Sequence, residues 1–338
     1  MTSPFTPYLR GAMGDEPLSD SDITAAFDLM LKGDVDPVQA GAFLAALKVR
    51  GEKPSEIAAA ARAMRAAAIS FDGPEGAVDT CGTGGDGANT YNISTATAIV
   101  LAACDVPVAK HGNKAVSSAS GSSDVLTALG VNVTAGPEKA EACLNAIGLA
   151  FLFAPHHHPA VKHVAPVRAA LGVRTLFNLL GPLTNPAGAK RQLMGVYDKS
   201  LMVPIAETLQ ALGAVRAWVV HGDDGLDELT VTGPSHVAIL RDGSVVSRTL
   251  TPAEAGLSRH DAADLVGGDA QTNAEALRAV LDGDKGAYRD AVLLNAAAGL
   301  IVAGVEDDLA PAAVRAIKAI DGGAAKAKLD ALIQYTNS

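Results

Sequence analysis

The sequence predicts an α/β protein with a small helical lobe and a larger lobe, whose mostly parallel central sheet is flanked by helices. Three observations support this fold class. Residues 1–73 carry only helical patterns, short apolar segments alternate with helical stretches from residue 74 onward, and the last third is mostly helical. At 338 residues the chain is long enough for two lobes or for one large α/β domain.

The amino-terminal region predicts helices and no chemistry. The apolar residues of its first helix follow helical spacing and are Ile23, Ala26, Phe27, Met30 and Leu31. Asp36 and Pro37 suit the N-cap and first turn of the next helix, which ends at Gly51, and another helix starts near Pro54. We therefore expect this region to serve packing or dimerisation.

From residue 74, short strands and helices alternate along the chain. The candidate strands are Ala77–Thr80, Val106–Lys110, Val131–Thr134, Ala150–Ala154, Gln192–Tyr197, Ala217–His221 and His236–Leu240. The expected helices include Thr95–Ala103, Ser123–Leu129, Leu201–Leu212, Gly286–Ala303, Pro311–Ala319 and a helix-rich insert, Pro166–Leu180. Because strands that alternate with helices usually run parallel, the pattern predicts a largely parallel sheet.

Composition and charge limit the function classes. Hydrophobic residues make up 49% of the chain and charged residues 19%, which is typical of a folded globular protein. The net charge is −10 and no basic cluster is long enough to follow a phosphate backbone, so nucleic-acid binding is disfavoured. No apolar run reaches the length of a membrane span. Cys81, Cys104 and Cys143 lie far apart, which disfavours disulfides and zinc sites and favours the reducing cytoplasm.

The segment CGTGGDGANTYNIST is the most informative part of the sequence. Gly82, Gly84 and Gly87 formally satisfy the dinucleotide-binding pattern G-x-G-x-x-G. That motif requires a helix that opens within the glycines and an acidic residue at the end of the second strand. Here the helix is expected only near Ser94, and the second strand ends at Lys110. We therefore reject the dinucleotide interpretation, and the spacing of a Walker loop is absent as well.

A glycine-rich loop that leads into a helix favours an anion site. Glycines let backbone N–H groups approach an anion closely, and the helix end adds partial positive charge. The expected helix start carries Asn92, Ser94 and Thr95, and the loop itself carries Asp86. A carboxylate beside phosphate is repulsive unless it contacts sugar hydroxyls or a metal, so Asp86 indicates a phosphosugar. The alternative, a structural turn, explains the glycines but not these polar residues.

A second strand–loop–helix junction follows the next predicted strand. It runs from Lys110 through Ser118 to Gly121 and Ser122, where another helix start is plausible. Because the carboxyl ends of parallel strands meet at one edge of a sheet, the two junctions predict one polyanion site. Lysines in the second junction would supply its countercharge.

Other polar residues have a functional and a structural interpretation. Asp227 and Glu228 suit a magnesium ion that keeps waters and bridges to phosphate, although alone they would more often be solvated loop acids. Arg168 would be a packing residue unless the insert Pro166–Leu180 folds over the predicted polyanion site. His156–His158 is expected to be a loop after a strand and not a metal cluster. The segment Gly181–Gly188 is a turn-dense connector that could act as a hinge.

No nucleophile elbow is present, and Cys81 has no adjacent histidine that would favour thiolate catalysis. The expected chemistry is therefore transfer by positioning and charge stabilisation, without a catalytic nucleophile.

The chain resembles the anthranilate phosphoribosyltransferase family of the nucleoside-phosphorylase-like transferase class. Four segments carry the resemblance in order: VDTCGTGGDGANTYNIST, KHGNKAVSSASGSSDVLTALG, HHPAVKHVAPVRAALGVRTLFNLLGPLTNPA and GDDGLDEL. The helical amino terminus and Asn295–Leu300 also fit, so it covers nearly the whole chain. One departure is Lys114, where the family commonly has arginine; the charge is kept but the bidentate geometry is lost.

The resemblance implies which residues bind the two substrates and the metal. Phosphoribosyl pyrophosphate would contact Gly82, Gly85, Asp86, Thr90, Asn92, Ile93, Ser94, Thr95, Lys110, His111, Gly112, Asn113, Lys114, Ala115, Val116, Ser117, Ser118 and Ser122. Magnesium (Mg²⁺) would bind at Ser94, Asp227 and Glu228. Anthranilate would lie near Gly82, Asn113 and Arg168, with the guanidinium pairing its carboxylate.

The resemblance also implies how the chain is divided. Residues 1–73 would form the helical lobe, joined in space by about 166–185, and residues 74–165 with 186–338 would form the phosphoribosyl-pyrophosphate-binding lobe. The two lobes would be hinged, and the helical lobe would form a homodimer.

The implied activity is transfer of phosphoribose to the amine of anthranilate, in tryptophan biosynthesis. The first alternative is a pyrimidine nucleoside phosphorylase of the same fold class, against which Arg168, Asp227 and Glu228 argue. The second is a ligand-sensing paralogue that binds the phosphosugar without turnover.

Overall fold

The computed structural model describes residues 3–114 and 119–338. Four residues expected at the phosphoribosyl pyrophosphate site, Ala115, Val116, Ser117 and Ser118, lie outside this described part.

The amino-terminal region is helical, as the sequence predicted. Its helices are α1 (Thr6–Ala12), α2 (Asp20–Lys32), α3 (Pro37–Arg50) and α4 (Pro54–Ala66). The Asp36 carboxylate accepts a hydrogen bond from the Val38 N–H at 2.8 Å, which confirms the predicted cap. Helix α1 was missed because its seven residues are too few to display an apolar period.

The described chain contains one seven-stranded sheet in the order β3-β2-β1-β4-β5-β6-β7. Its strands are β1 (Val78–Gly82), β2 (Val108–Gly112), β3 (Leu149–Phe153), β4 (Arg191–Gly195), β5 (Arg216–Gly222), β6 (Ser235–Arg241) and β7 (Ser244–Leu250). Strands β1 to β5 pair in parallel, whereas β6 and β7 are antiparallel. The predicted, mostly parallel sheet is confirmed.

Two strand predictions were wrong. Val131–Thr134 is not a strand: the Val133 N–H bonds to the Val131 carbonyl at 3.1 Å, and Asn132 accepts from the Thr134 N–H. The chain turns there, so the apolar pattern reflects the burial of Val131. Strand β7 was missed because it lies at the sheet edge with mostly exposed residues, which removes the apolar run that marks a buried strand.

Helices cover both faces of the sheet. They are α5 (Ile93–Ala103), α6 (Ser122–Ala128), α7 (Pro137–Ile147), α8 (Ala154–His157), α9 (Ala165–Leu171), α10 (Phe177–Leu183), α11 (Met202–Ala211), α12 (Ala270–Leu281), α13 (Ala287–Ala303), α14 (Leu309–Asp321) and α15 (Ala324–Asn337). The loop predicted at His156–His158 is wrong for its first two residues, since α8 continues through His157 directly after β3. None of the helices in the described ranges is long and apolar enough to cross a membrane.

Two apolar clusters lie on opposite faces of the sheet. One joins the sheet to α5, α13, α14 and α15. The other joins the amino-terminal helices to α9, α10, α11 and the opposite sheet face, including Met194 and Val219. The helices of the small lobe therefore share a continuous core with the sheet, and α9–α10, the insert, packs with them. The hinge between the lobes stays a prediction.

Candidate active site

The strand order reverses at β1, which lies between β2 and β4. Open α/β sheets bind ligands at such switch points, outside the carboxyl ends of their strands. The glycine-rich segment follows β1 at this point, and α5 begins only at Ile93. The late helix start confirms the reason for rejecting a dinucleotide fingerprint. Gly84, Gly85 and Gly87 have φ of 67°, 78° and 77°, a backbone conformation that favours glycine. We call residues 82–87 the glycine loop.

The acidic loop after β5, residues 223–229, folds onto the glycine loop. The Asp227 Oδ2 atom accepts a hydrogen bond from the Gly84 N–H at 2.7 Å. The Asp227 N–H donates to Asp86 Oδ2 at 3.4 Å. Asn295 of α13, which is fully buried, holds the end of the acidic loop by bonding both backbone groups of Leu229. Residues far apart in the sequence thus form one site.

Glycines at the strand ends make this contact possible. A Cβ atom on Gly82 would lie 2.2 Å from Asp227 Oδ2, and one on Gly195 would lie 1.5 Å from the Asp227 carbonyl oxygen. Gly82 and Gly195 are register partners at the ends of β1 and β4. Larger residues there would displace the acidic loop.

Burial and neighbouring carboxylates raise the pKa of Asp227 and of Glu228. Burial, Glu228 and Asp86 raise the pKa of Asp227 well above its usual value. Burial raises the pKa of Glu228 to about 7; Asp86 adds to this rise, whereas Lys110 and Ser94 oppose it. Such a set is stabilised by a bound cation.

The oxygen donors of Asp227, Glu228 and Ser94 suit magnesium, which binds few protein ligands, better than a metal whose ligands all come from the protein. No group of three or more His, Cys, Asp or Glu side chains within 3–114 and 119–338 is arranged to hold a metal ion. Mg²⁺ commonly binds through one or two carboxylates and completes its shell with waters and substrate phosphates. Asp227, Glu228 and the Ser94 hydroxyl supply hard oxygen donors of this kind.

Lys110 is buried below the site and not exposed to a ligand. Its Nζ atom donates to the Thr80 carbonyl at 2.5 Å and to the Ser94 hydroxyl at 3.3 Å. Its charge also lowers the pKa of Glu228. In this structure the positive charge of Lys110 therefore acts on the acidic loop and on Ser94.

Sequence reasoning missed a buried aspartate in β1. Asp79 is 0% exposed, and burial raises its pKa. Its Oδ1 atom accepts from the His111 N–H at 3.0 Å, and the Cys81 thiol donates to Oδ2 at 3.4 Å. Asp79 thereby fixes the backbone at the end of β2. An acidic residue inside an otherwise apolar strand was the available signal.

The second junction lies beside the first. The Ser122 hydroxyl donates to the Asn113 carbonyl at 3.2 Å, and the Asn92 amide donates to the Ser120 carbonyl at 3.2 Å. Asn92 therefore links the start of α5 to the loop before α6. Ile93 and Thr95 are buried in the first turn of α5, and Thr90 pairs with Val266 in an isolated β-bridge. Gly112 and Lys114 flank Asn113, and Lys114 is exposed.

Arg168 lies half-buried on α9, with its guanidinium carbon 5.4 Å from the centroid of the Phe177 ring. Burial lowers its pKa. No ion pair of Arg168 occurs within the described ranges, so its side chain retains donors for a ligand.

The histidines form a buried group beside this insert. The His111 and His158 ring centroids are 5.1 Å apart, and His111 Nδ1 is 3.0 Å from the Gly181 carbonyl oxygen. Burial lowers the pKa of His158 to about 4. Burial lowers the pKa of His111 as well, so both ring environments disfavour a charge.

Family comparisons agree with this architecture. Residues 74–326 match the glycosyl transferase family, a/b domain, and residues 6–68 match the glycosyl transferase family, helical bundle domain. A protein from Rhodospirillum rubrum named anthranilate phosphoribosyltransferase is 58% identical over 94% of this chain and 91% of its own length.

Solved structures agree as well. The anthranilate phosphoribosyltransferase from Thermus thermophilus superposes with a TM-score of 0.93 at 44% identity, covering 98% of this chain and 99% of that one. The Saccharomyces cerevisiae enzyme in complex with PRPP, phosphoribosyl pyrophosphate, and Mg has a TM-score of 0.91 at 28% identity, covering 100% and 99%.

Proposed function

The chain belongs to the anthranilate phosphoribosyltransferase family, and we infer that it transfers the phosphoribosyl group of phosphoribosyl pyrophosphate to the amine of anthranilate. The products are N-(5-phosphoribosyl)anthranilate and pyrophosphate, and the reaction belongs to tryptophan biosynthesis. The observation that carries this function is the contact between Asp227 and Gly84, which joins an acidic loop to a glycine loop at the switch point of the sheet.

The phosphosugar would bind along the two strand–loop–helix junctions. The glycine loop offers backbone N–H groups, and the first turn of α5 adds the partial positive charge of a helix end. The proposed contacts are those expected from the resemblance between Gly82 and Thr95 and between His111 and Ser122, whereas the buried Lys110 acts through Ser94 and the acidic loop. The hydrogen bond between Asn92 and Ser120 supports a single site, because it holds the two junctions together.

Magnesium would be held by Asp227, Glu228 and the Ser94 hydroxyl, together with substrate oxygens. The raised pKa of both acids supports this assignment, since a cation relieves their repulsion. When bound, Mg²⁺ neutralises charge that develops on the leaving pyrophosphate. Lys110 would keep the Ser94 hydroxyl in place through its ammonium group.

Anthranilate would bind near Gly82, Asn113 and Arg168. Its aryl amine is unprotonated at neutral pH, so the transfer needs no strong general base. The nitrogen lone pair attacks C1 of the ribose, the bond from C1 to the pyrophosphate oxygen breaks, and that oxygen takes the electron pair. The surplus N–H proton passes to solvent. The Arg168 guanidinium would fix the carboxylate and so orient the amine.

The helical lobe is proposed to close over the site and to form a homodimer. Closure would align the amine with the ribose and exclude water. Val38 and Val49 of α3 support a dimer surface: they are 78% and 90% exposed, and about three helical turns separate them, so they share one face. The cytoplasmic location stays a prediction; the free, buried Cys81, Cys104 and Cys143 agree with it.

One assay tests the function directly. Purified protein with phosphoribosyl pyrophosphate, Mg²⁺ and anthranilate should consume the fluorescence of anthranilate. Persistent fluorescence together with phosphorolysis of uridine or thymidine would instead identify the pyrimidine nucleoside phosphorylase. Binding of the phosphosugar without either reaction would identify the non-catalytic paralogue.

A further inference from the structure

Arg174 contacts the glycine loop from the segment between α9 and α10. A Cβ atom on Gly85 would lie 2.8 Å from one guanidinium nitrogen of Arg174 and 3.2 Å from Nε. Gly85 is the residue after Gly84, whose N–H binds Asp227. Consecutive residues of the glycine loop therefore contact an acid from the α/β lobe and a cation from the insert.

Tyr197 orients this guanidinium. The Arg174 Cζ atom lies 4.0 Å from the centroid of the Tyr197 ring, a cation–π distance. Tyr197 follows β4, and its backbone N–H donates to the Thr83 hydroxyl at 3.0 Å. The Tyr197 backbone is therefore joined to the same loop that Arg174 contacts, and its ring packs against the exposed Arg174 guanidinium.

The donors of Arg174 are not used by other protein groups in the part of the chain that the structure describes. Arg65 and Arg289, in contrast, are engaged: Arg65 donates to the Leu183 carbonyl, and Arg289 pairs with Asp321. Within the described residues, the Arg174 guanidinium forms no hydrogen bond to a carbonyl and no ion pair with a carboxylate. A planar guanidinium presents N–H groups in a fork that matches phosphate oxygens.

The charge around the glycine loop makes such a cation useful. Asp86, Asp227 and Glu228 repel a polyanion, and Lys110 is buried against Thr80 and Ser94. Arg174 instead brings an exposed positive charge to the loop.

We propose that Arg174 binds the pyrophosphate group of phosphoribosyl pyrophosphate, with its guanidinium stacked on Tyr197 and directed across Gly85. This inference rests on the proposed function. Arg174 would hold the pyrophosphate in the substrate complex and continue to bind it as it leaves. Because Arg174 and Arg168 lie on the same insert, one segment would contact both substrates.

The test measures binding without turnover. Titration calorimetry with phosphoribosyl pyrophosphate plus Mg²⁺, and separately with inorganic pyrophosphate plus Mg²⁺, is performed on the wild type and on Arg174→Gln. We expect both ligands to bind about tenfold more weakly or worse to the variant, since charge-assisted hydrogen bonds are lost. Arg174→Lys should be intermediate because it keeps the charge and loses the fork. Arg62→Gln, which removes an exposed arginine of α4 that pairs with Asp20, should bind like the wild type.

Kinetics separate this role from a structural one. The KM for phosphoribosyl pyrophosphate should rise in Arg174→Gln, while the KM for anthranilate and the urea midpoint stay unchanged. Unchanged binding of both ligands, or a rise confined to the KM for anthranilate, would overturn the proposal. If Arg174→Gln does not fold, Arg174→Lys decides by the same criteria. A wild type that binds phosphoribosyl pyrophosphate without consuming anthranilate contradicts the proposed function alone, whereas absence of binding overturns both.

Discussion

At the scale of the residue, Asp227 connects the parts of the site. Its carboxylate accepts from Gly84, its N–H donates to Asp86, and its carbonyl oxygen lies against Gly195. The sequence identified it as an acid in a loop, where solvation was the more common outcome. The hydrogen bond from the Gly84 N–H shows that Asp227 packs on the glycine loop, which supports the proposed metal site.

Replacing Asp227 with Asn and Glu228 with Gln together should reduce Mg²⁺-dependent turnover on the order of 100-fold, since neutral amides bind the cation weakly. Steady-state rates across a magnesium titration measure this. Asp223→Asn is the matched control, because Asp223 lies in the same loop with its side chain 58% exposed and paired with His236. Near-normal rates in the double variant would show that Asp227 and Glu228 are solvated loop acids and not metal ligands.

Arg168→Ala should raise the KM for anthranilate about tenfold or more through loss of a charge-assisted pair with the carboxylate. The KM for phosphoribosyl pyrophosphate should change far less. Arg62→Ala serves as the control, since Arg62 is exposed on α4 and pairs with Asp20. An unchanged dependence on anthranilate would remove Arg168 from the site.

At the scale of the element, four parallel strands end in glycine at the site: β1 at Gly82, β2 at Gly112, β4 at Gly195 and β5 at Gly222. These ends have no side chain, so the following loops can pack directly on the sheet edge. Sequence patterns located most of these strands within about two residues, because buried parallel strands carry apolar runs. The same rule failed for the exposed strand β7 and for Val131–Thr134.

Gly195→Ala should nearly abolish activity, because the new Cβ atom would overlap the Asp227 carbonyl oxygen and displace the acidic loop. Turnover is measured together with urea unfolding. The free energy of unfolding should fall by a few kcal/mol at most. Gly233→Ala is the control, since no atom lies within 4 Å of its Cβ position. Full activity in Gly195→Ala would show that the acidic loop does not need this close contact.

At the scale of the whole molecule, two apolar clusters pack on opposite faces of one sheet. The insert α9–α10 packs with the amino-terminal helices, although about 100 residues separate them in the sequence. It also carries Arg168 and Arg174. In the proposed lobe closure, both arginines would therefore move with the small lobe relative to the acidic loop.

The proposed homodimer predicts that Val38→Asp together with Val49→Asp yields monomers, because charges on this exposed apolar face oppose its burial. Sedimentation velocity at several protein concentrations measures the mass. Val246→Asp is the control, since Val246 is 58% exposed on β7, in the other lobe. A wild type that sediments as a monomer, or a double variant that remains dimeric, would contradict the assigned surface.

Local patterns in the sequence determined the fold class, the caps of the helices, the glycine loop and the acidic pair, because these depend on apolar period, backbone conformation and residue type. Tertiary structure decided which of these features meet. The role of Asp79, the burial of Lys110 against Ser94, and the contact of Arg174 with Gly85 arise from residues far apart in the chain. Spacing along the chain does not encode such contacts, since they depend on strand order and on the path of the insert.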